Sequence, residues 1–150
     1  MTTEAWLAVV HLAATAAMVG LIWTIHAVHY PLFGLVGPER YAEFQREHMR
    51  RITRVLLVPW GVEGLSSLAL VALTDGTDRR WSLAGLVLLA GVVAVTGLGA
   101  APIHGRLTNG FEPELHRRLM RFDAVRAIGW TARLVVAIVL VARLTERPIG

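Results

Sequence analysis

Glu63 and Arg133 carry opposite charges at matching depths in two stretches that are otherwise apolar. An ionisable side chain in hydrocarbon costs at least about 2.5 kcal/mol and normally faces a bundle interior or a cavity. Two chemistries fit the pair. It can be a buried ion pair that fixes how two helices meet, worth little net stability but costly to break on one side only. Alternatively it can handle a ligand or proton, with Glu63 as general base and Arg133 stabilising a developing enolate or phenolate. Both are candidate catalytic residues. Trp60 and Trp130 each precede one of these charges by three residues and so share its face. A charged pair over two indoles could hold a planar, quinone-like molecule, and Trp23 and Tyr30 complete the candidate ligand-binding set.

Histidine forms the second constellation. His26 and His29 are three residues apart, about 60° in helical projection, so both address one face. His104 follows Pro102, and His48 lies on the apolar face of an amphipathic segment. Four imidazoles converging at one depth would suit a haem or a His-ligated metal, since neutral imidazole binds zinc, copper and iron. The other reading is hydrogen bonding to headgroups or backbone at a membrane interface. The chain has no cysteine, which excludes disulfides, thiolate metal sites and thiol-pair redox chemistry.

Positioning these groups requires helices. Of 150 residues, 55% are hydrophobic and the mean hydropathy is +0.54, so one compact membrane domain spanning 1–150 is expected. Four apolar runs predict an all-α bundle of four transmembrane helices, at about 5–30, 54–74, 81–103 and 123–143, since roughly 20 apolar residues cross a bilayer. The first run lacks the short length and cleavage site of a secretory signal and is expected to remain. Pro31 ends the first helix, and Pro59 is expected to kink the second beside Glu63.

Charge orients the bundle. Arg40, Arg46, Arg50, Arg51 and Arg54 follow the first helix, and Arg106, Arg117, Arg118, Arg121 and Arg126 follow the third, against Arg79, Arg80, Arg143 and Arg147 on the other side. The positive-inside rule then puts both long loops in the cytoplasm and both termini outside. Every basic residue is arginine, in keeping with a GC-rich bacterial genome and an inner-membrane location. The basic pI of about 10.9 reflects topology and anionic lipid, and nucleic acid is not expected as a partner.

A shift of 71 residues lays Pro31 on Pro102, Gly34 on Gly105, Glu43 on Glu114, Arg46 on Arg117 and Met49-Arg50 on Met120-Arg121. The chain thus reads as two parallel-repeat hairpins, each a helix, an amphipathic cytoplasmic segment and a second helix. In the first segment Tyr41, Phe44, His48 and Ile52 recur at helical spacing; in the second, Leu115, Leu119 and Phe122 do, with His116 beside that stripe and solvated or lipid-facing. Thr108-Asn109-Gly110 signals a turn. Ala13, Ala16, Ala17 and Gly20, and Gly91, Ala94, Gly97 and Ala101, form small-residue stripes suited to close helix approach. Asp123 and Arg126 read as a helix-start acid and an interface anchor.

The steps His26-x-x-His29-Tyr30-Pro31, Pro59-x-x-x-Glu63, Pro102-x-His104-x-x-Leu107 and Arg126-x-x-x-Trp130-x-x-Arg133 resemble those of small bacterial four-helix membrane proteins, loosely the anthrone-oxygenase-like group. That resemblance implies a four-helix membrane fold and oxygenation of a polycyclic aromatic substrate, with no residue assigned to the chemistry. The expectation is a cytoplasm-facing polar cavity that binds a small hydrophobic ligand or redox cofactor, with Glu63 and Arg133 as floor, the two tryptophans as walls and the histidines as mouth. The alternative is a non-catalytic accessory or structural subunit of a larger membrane complex or homo-oligomer; a transporter ranks third.

Overall fold

The computed structural model describes residues 1–146; Arg147, counted among the arginines of the terminal side, lies outside the described residues. The described chain is helical throughout, with four segments long and apolar enough to cross a membrane. Helix α1 spans Thr3–Thr24, α2 Pro38–Leu73, α3 Gly76–Val95, α4 Ala101–Leu107 and α5 Pro113–Thr145. Thr2 opens α1 by accepting a hydrogen bond from the Ala5 amide at 3.2 Å, which satisfies one of the free donors of the first turn. Pro38 and Pro113 open α2 and α5, where the missing N–H has no partner to lose.

The helices run longer than the apolar runs alone indicate. Nothing between Pro38 and Val55 breaks a helix, so the amphipathic segment and the apolar span fuse into one 36-residue helix, and Pro59 is accommodated inside it. Helix α5 fuses in the same way over 33 residues. Asp123 and Arg126 therefore lie about ten residues inside α5, roughly 15 Å from its start, and not at a helix end.

Wide π turns precede two of the prolines. Residues Ile25–His29 form one, closed by the Tyr30 amide on the Ile25 carbonyl at 2.9 Å just before Pro31, and Thr96–Ala100 form another just before Pro102, 71 residues on. A proline ring crowds the carbonyl four residues back and removes a donor, and a wide i→i+5 turn absorbs the misfit. After Pro31 the chain tightens into a 3₁₀ segment, Pro31–Leu35. Gly76 (φ 49°) and Gly110 (φ 142°) occupy left-handed backbone in the α2–α3 and α4–α5 turns, a region glycine enters without strain.

Helix α5 packs against α1 and α3, and α2 closes the bundle against the same two. The outer surface is apolar: Leu57, Leu65, Val87, Leu98 and Ile128 are each at least 65% exposed. The inner file holds His11, Gln45, His48, Glu63, Ser66, Ser67, Asp78, Asp123, Arg126 and Arg133, all buried. This inside-out arrangement suits hydrocarbon solvent, because polar groups must find their partners within the bundle.

The small-residue stripes do not make the helix contacts expected of them. Ala13, Ala16, Ala17, Gly20, Gly91, Ala94, Gly97 and Ala101 are all exposed, and nothing lies within 4 Å of a Cβ built on Gly20, Gly91 or Gly97. Close approach is made by Gly85, Gly99 and Gly129, where an added Cβ would meet Val136, the Phe122 ring and Val92, the last at 2.7 Å. Gly129→Ala is accordingly expected to destabilise the protein by about 1–3 kcal/mol through overpacking. Gly91→Ala should be neutral or stabilising by up to about 1 kcal/mol, from helix propensity alone. Thermal melting of both variants in detergent checks the difference.

Candidate functional site

Glu63 from α2 and Arg133 from α5 meet, with both side chains fully buried. Arg133 also donates to the Gly85 carbonyl of α3 and to Ser67 Oγ of α2 at 2.9 Å, and its guanidinium lies 5.5 Å from the centroid of the Trp130 ring. One arginine thus ties three helices together. Nearby, His11 Nδ1 pairs with Ser66 Oγ at 2.9 Å, extending the polar core toward α1.

Two cavities are described among residues 1–146, and neither is lined by Glu63, Arg133 or Trp130. Trp130 is fully buried and packs edge-on against Trp60, with ring centroids 6.1 Å apart. Trp23 is 43% exposed on the outside of the bundle, where its indole N–H donates to Thr131 Oγ1 at 3.0 Å. Of the four residues expected to hold a ligand, Trp60 and Tyr30 line a cavity.

That cavity, about 440 Å³, opens between the two π turns and α2. Its walls are Ile25, Met49, Leu56, Leu57 and Trp60, and its polar groups include Tyr30, His104 and Arg126. Arg126 is only 4% exposed, and its Nε has no hydrogen-bond partner. Its Nη1 donates to Asp123 at 3.1 Å, and the same carboxylate takes His26 Nδ1 at 3.1 Å. A cation fixed by a buried acid at the edge of an apolar chamber is suited to a ligand with a carbonyl or oxyanion head and a hydrophobic body.

A second cavity, about 690 Å³, lies at the arginine-rich end between Val36-Gly37 and the first half of α2. Arg40, Glu43, Glu47 and Arg51 line it together with His29 and His48.

Three of the four candidate histidines come together. His29 Nε2 and His48 Nδ1 are 2.9 Å apart, the His48 and His104 ring centroids lie 5.5 Å apart, and His104 Nε2 is 2.7 Å from the Tyr30 hydroxyl. His26 departs from the group to bind Asp123, because the π turn that contains it shifts the phase of the helix relative to an ideal three-residue step. Among the described residues no group of three or more His, Asp or Glu is arranged to hold a metal ion. His104 spends both nitrogens on Tyr30 and on Gln45 Nε2, at 2.8 Å, so in this arrangement it has no nitrogen free for a metal.

Three buried polar residues of this region carry no clear mark in the sequence. Gln45 was hidden within a charged-looking segment, although it shares a face with Tyr41 and His48 at helical spacing. Asp123 and Arg126 read in the sequence as a helix-start acid and an interface anchor, but α5 begins ten residues earlier, at Pro113, and buries both. His116 is half-buried, with Nδ1 unpartnered and its ring 5.5 Å from that of Phe111. Comparison with protein-family models, curated proteins and solved structures finds no match.

Proposed function

We propose that this is a multi-pass protein of the bacterial inner membrane, both termini outside, that binds a small hydrophobic ligand with a carbonyl or phenolate head in the chamber lined by Tyr30, Trp60, His104 and Arg126. The observation that carries the reading is Arg126: a buried guanidinium beside an apolar chamber, with one nitrogen left without a partner. Buried polar atoms are nearly always satisfied, so an orphan of this kind calls for an explanation, and a ligand oxygen supplies one. The arginine excess at one end supports the orientation. The chamber's volume falls within the range of small-molecule sites, roughly 300–1,000 Å³.

The resemblance to the anthrone-oxygenase-like group belongs to the same proposal. A phenolic polycycle would lay its rings on Trp60 and its oxygen on Arg126, with the Tyr30–His104 pair handling the phenol proton. In this reading Arg126 and His104 take the roles expected from the sequence for Arg133 and Glu63.

A long-chain 2-hydroxy-1,4-naphthoquinone tests the site, being planar, hydrophobic and anionic. Titrated into the purified protein in lipid nanodiscs, it is expected to quench tryptophan fluorescence saturably, and Trp60→Phe should remove most of the saturable part. Quenching that rises linearly and is the same in both proteins would sink the reading.

A further inference from the structure

The two cavities are joined by a line of imidazoles. His29 faces the cavity at the arginine-rich end, and Tyr30 and His104 face the intramembrane chamber. Between them His29 pairs with His48, His48 lies beside His104, and His104 pairs with Tyr30. The one missing link is at His48 Nε2, which is buried and without a partner, as are Gln45 Oε1 and the Tyr41 hydroxyl. Tyr41, Gln45 and His48 are spaced four and three residues apart, on one face of α2. Three orphaned polar atoms along one buried stripe mark a place where ordered water completes the network. Two hydrogen bonds of about 2.8 Å meeting at one water join nitrogens about 4.5 Å apart, a gap that fits between rings whose centroids are 5.5 Å apart.

We propose that His29, His48, His104 and Tyr30 form a proton path connecting the cavity at the arginine-rich end with the ligand chamber inside the membrane. The destination of the path rests on the ligand-binding reading above; the path itself does not. A proton enters at His29 Nδ1, and the proton on His29 Nε2 passes to His48 Nδ1. Once the Gln45 amide swings off His104 Nδ1, freeing its lone pair, the His48 Nε2 proton passes through a water to that nitrogen, the His104 Nε2 proton passes to the Tyr30 oxygen, and the Tyr30 hydroxyl proton passes into the chamber. One proton enters, one leaves, and no residue changes its net charge.

Gln45 makes the His104 step feasible. With its Nε2 donating to His104 Nδ1, the imidazole is the tautomer protonated at Nε2 and donates to Tyr30. Turning the amide over presents Oε1, now unpartnered, to a protonated Nδ1, so the same side chain supports both tautomers of the relay. Arg40, Glu43, Glu47 and Arg51 surround the mouth, and Arg126, Asp123 and His26 stand at the inner end.

Exchange of the imidazole N–H protons with solvent, followed by NMR on the full chain labelled with ¹⁵N-histidine in lipid nanodiscs, tests the path without any ligand. The His104 N–H is expected to exchange with water. His48→Phe should slow it about tenfold or more, in line with the weight of a positioned proton carrier, while exchange at His11, in the other half of the bundle, stays unchanged. His29→Phe, a change at the half-exposed mouth, should slow it in the same direction and serves if the His48 variant does not fold. Equal His104 exchange in the wild type and in the folded variants would overturn the path. That result would leave quinone quenching intact, whereas loss of quenching with slowed exchange would overturn the ligand reading and leave the path.

Discussion

Arg133→Ala is expected to destabilise the protein by about 3–5 kcal/mol, the usual consequence of removing one partner of a buried ion pair. The alanine leaves the Glu63 carboxylate buried without its counter-ion and frees the Gly85 carbonyl and Ser67 hydroxyl that Arg133 now serves. It also leaves a void beside Trp130. Glu63→Gln should be milder, because the amide is neutral and its carbonyl still accepts from Arg133. The double variant Glu63→Leu, Arg133→Met should recover most of the loss, since a buried pair replaced by packed apolar groups is often neutral or better. Unfolding in mixed detergent micelles measures all three. Equal and negligible losses in both single variants would mean that the pair does not hold the helices together.

Arg126→Gln is expected to weaken quinone binding by about ten- to a hundredfold, the equivalent of one charge-assisted hydrogen bond. Arg126→Lys should fall between, because an ammonium keeps the charge but not the planar fork. The expectation depends on the position of Arg126 on the chamber wall and on its free Nε. Asp123 keeps its contact with His26 in either variant, but the glutamine leaves this buried carboxylate without its arginine, so Arg126→Gln is also expected to lower the melting temperature, and Arg126→Lys less so. Fluorescence titration reads the affinity, and melting in parallel separates a lost site from a lost fold. Unchanged affinity in Arg126→Gln would place the ligand head elsewhere.

The four spans and the meeting of Glu63 with Arg133 were legible because their signals are strong. Long apolar runs have few alternatives, and a buried acid and base at equal depth have every reason to pair. The small-residue stripes misled for a physical reason. In a membrane helix both faces are apolar, so a row of alanine and glycine does not reveal whether it faces lipid or a neighbour; the reliable markers of the inside were the polar residues His11, Ser66 and Ser67. His26 was misplaced because the π turn before Pro31 breaks the regular step on which its direction was based. Asp123 and Arg126 were misjudged because no breaker separates the amphipathic half of α5 from its apolar half, so the helix begins at Pro113. The intramembrane chamber left no mark in the sequence, since it is lined by residues from distant parts of the chain, from Ile25 to Arg126.

Photo-crosslinking tests the ligand chamber most directly. A naphthoquinone with a diazirine on its alkyl chain, irradiated with the full chain in nanodiscs and mapped by mass spectrometry, is expected to label residues 49–61 of α2 and the Thr96–Ala100 turn. Unlabelled quinone should compete that labelling away, and Arg126→Gln should weaken it. Labels spread over the outward-facing leucines and valines, unaffected by competitor, would contradict the account.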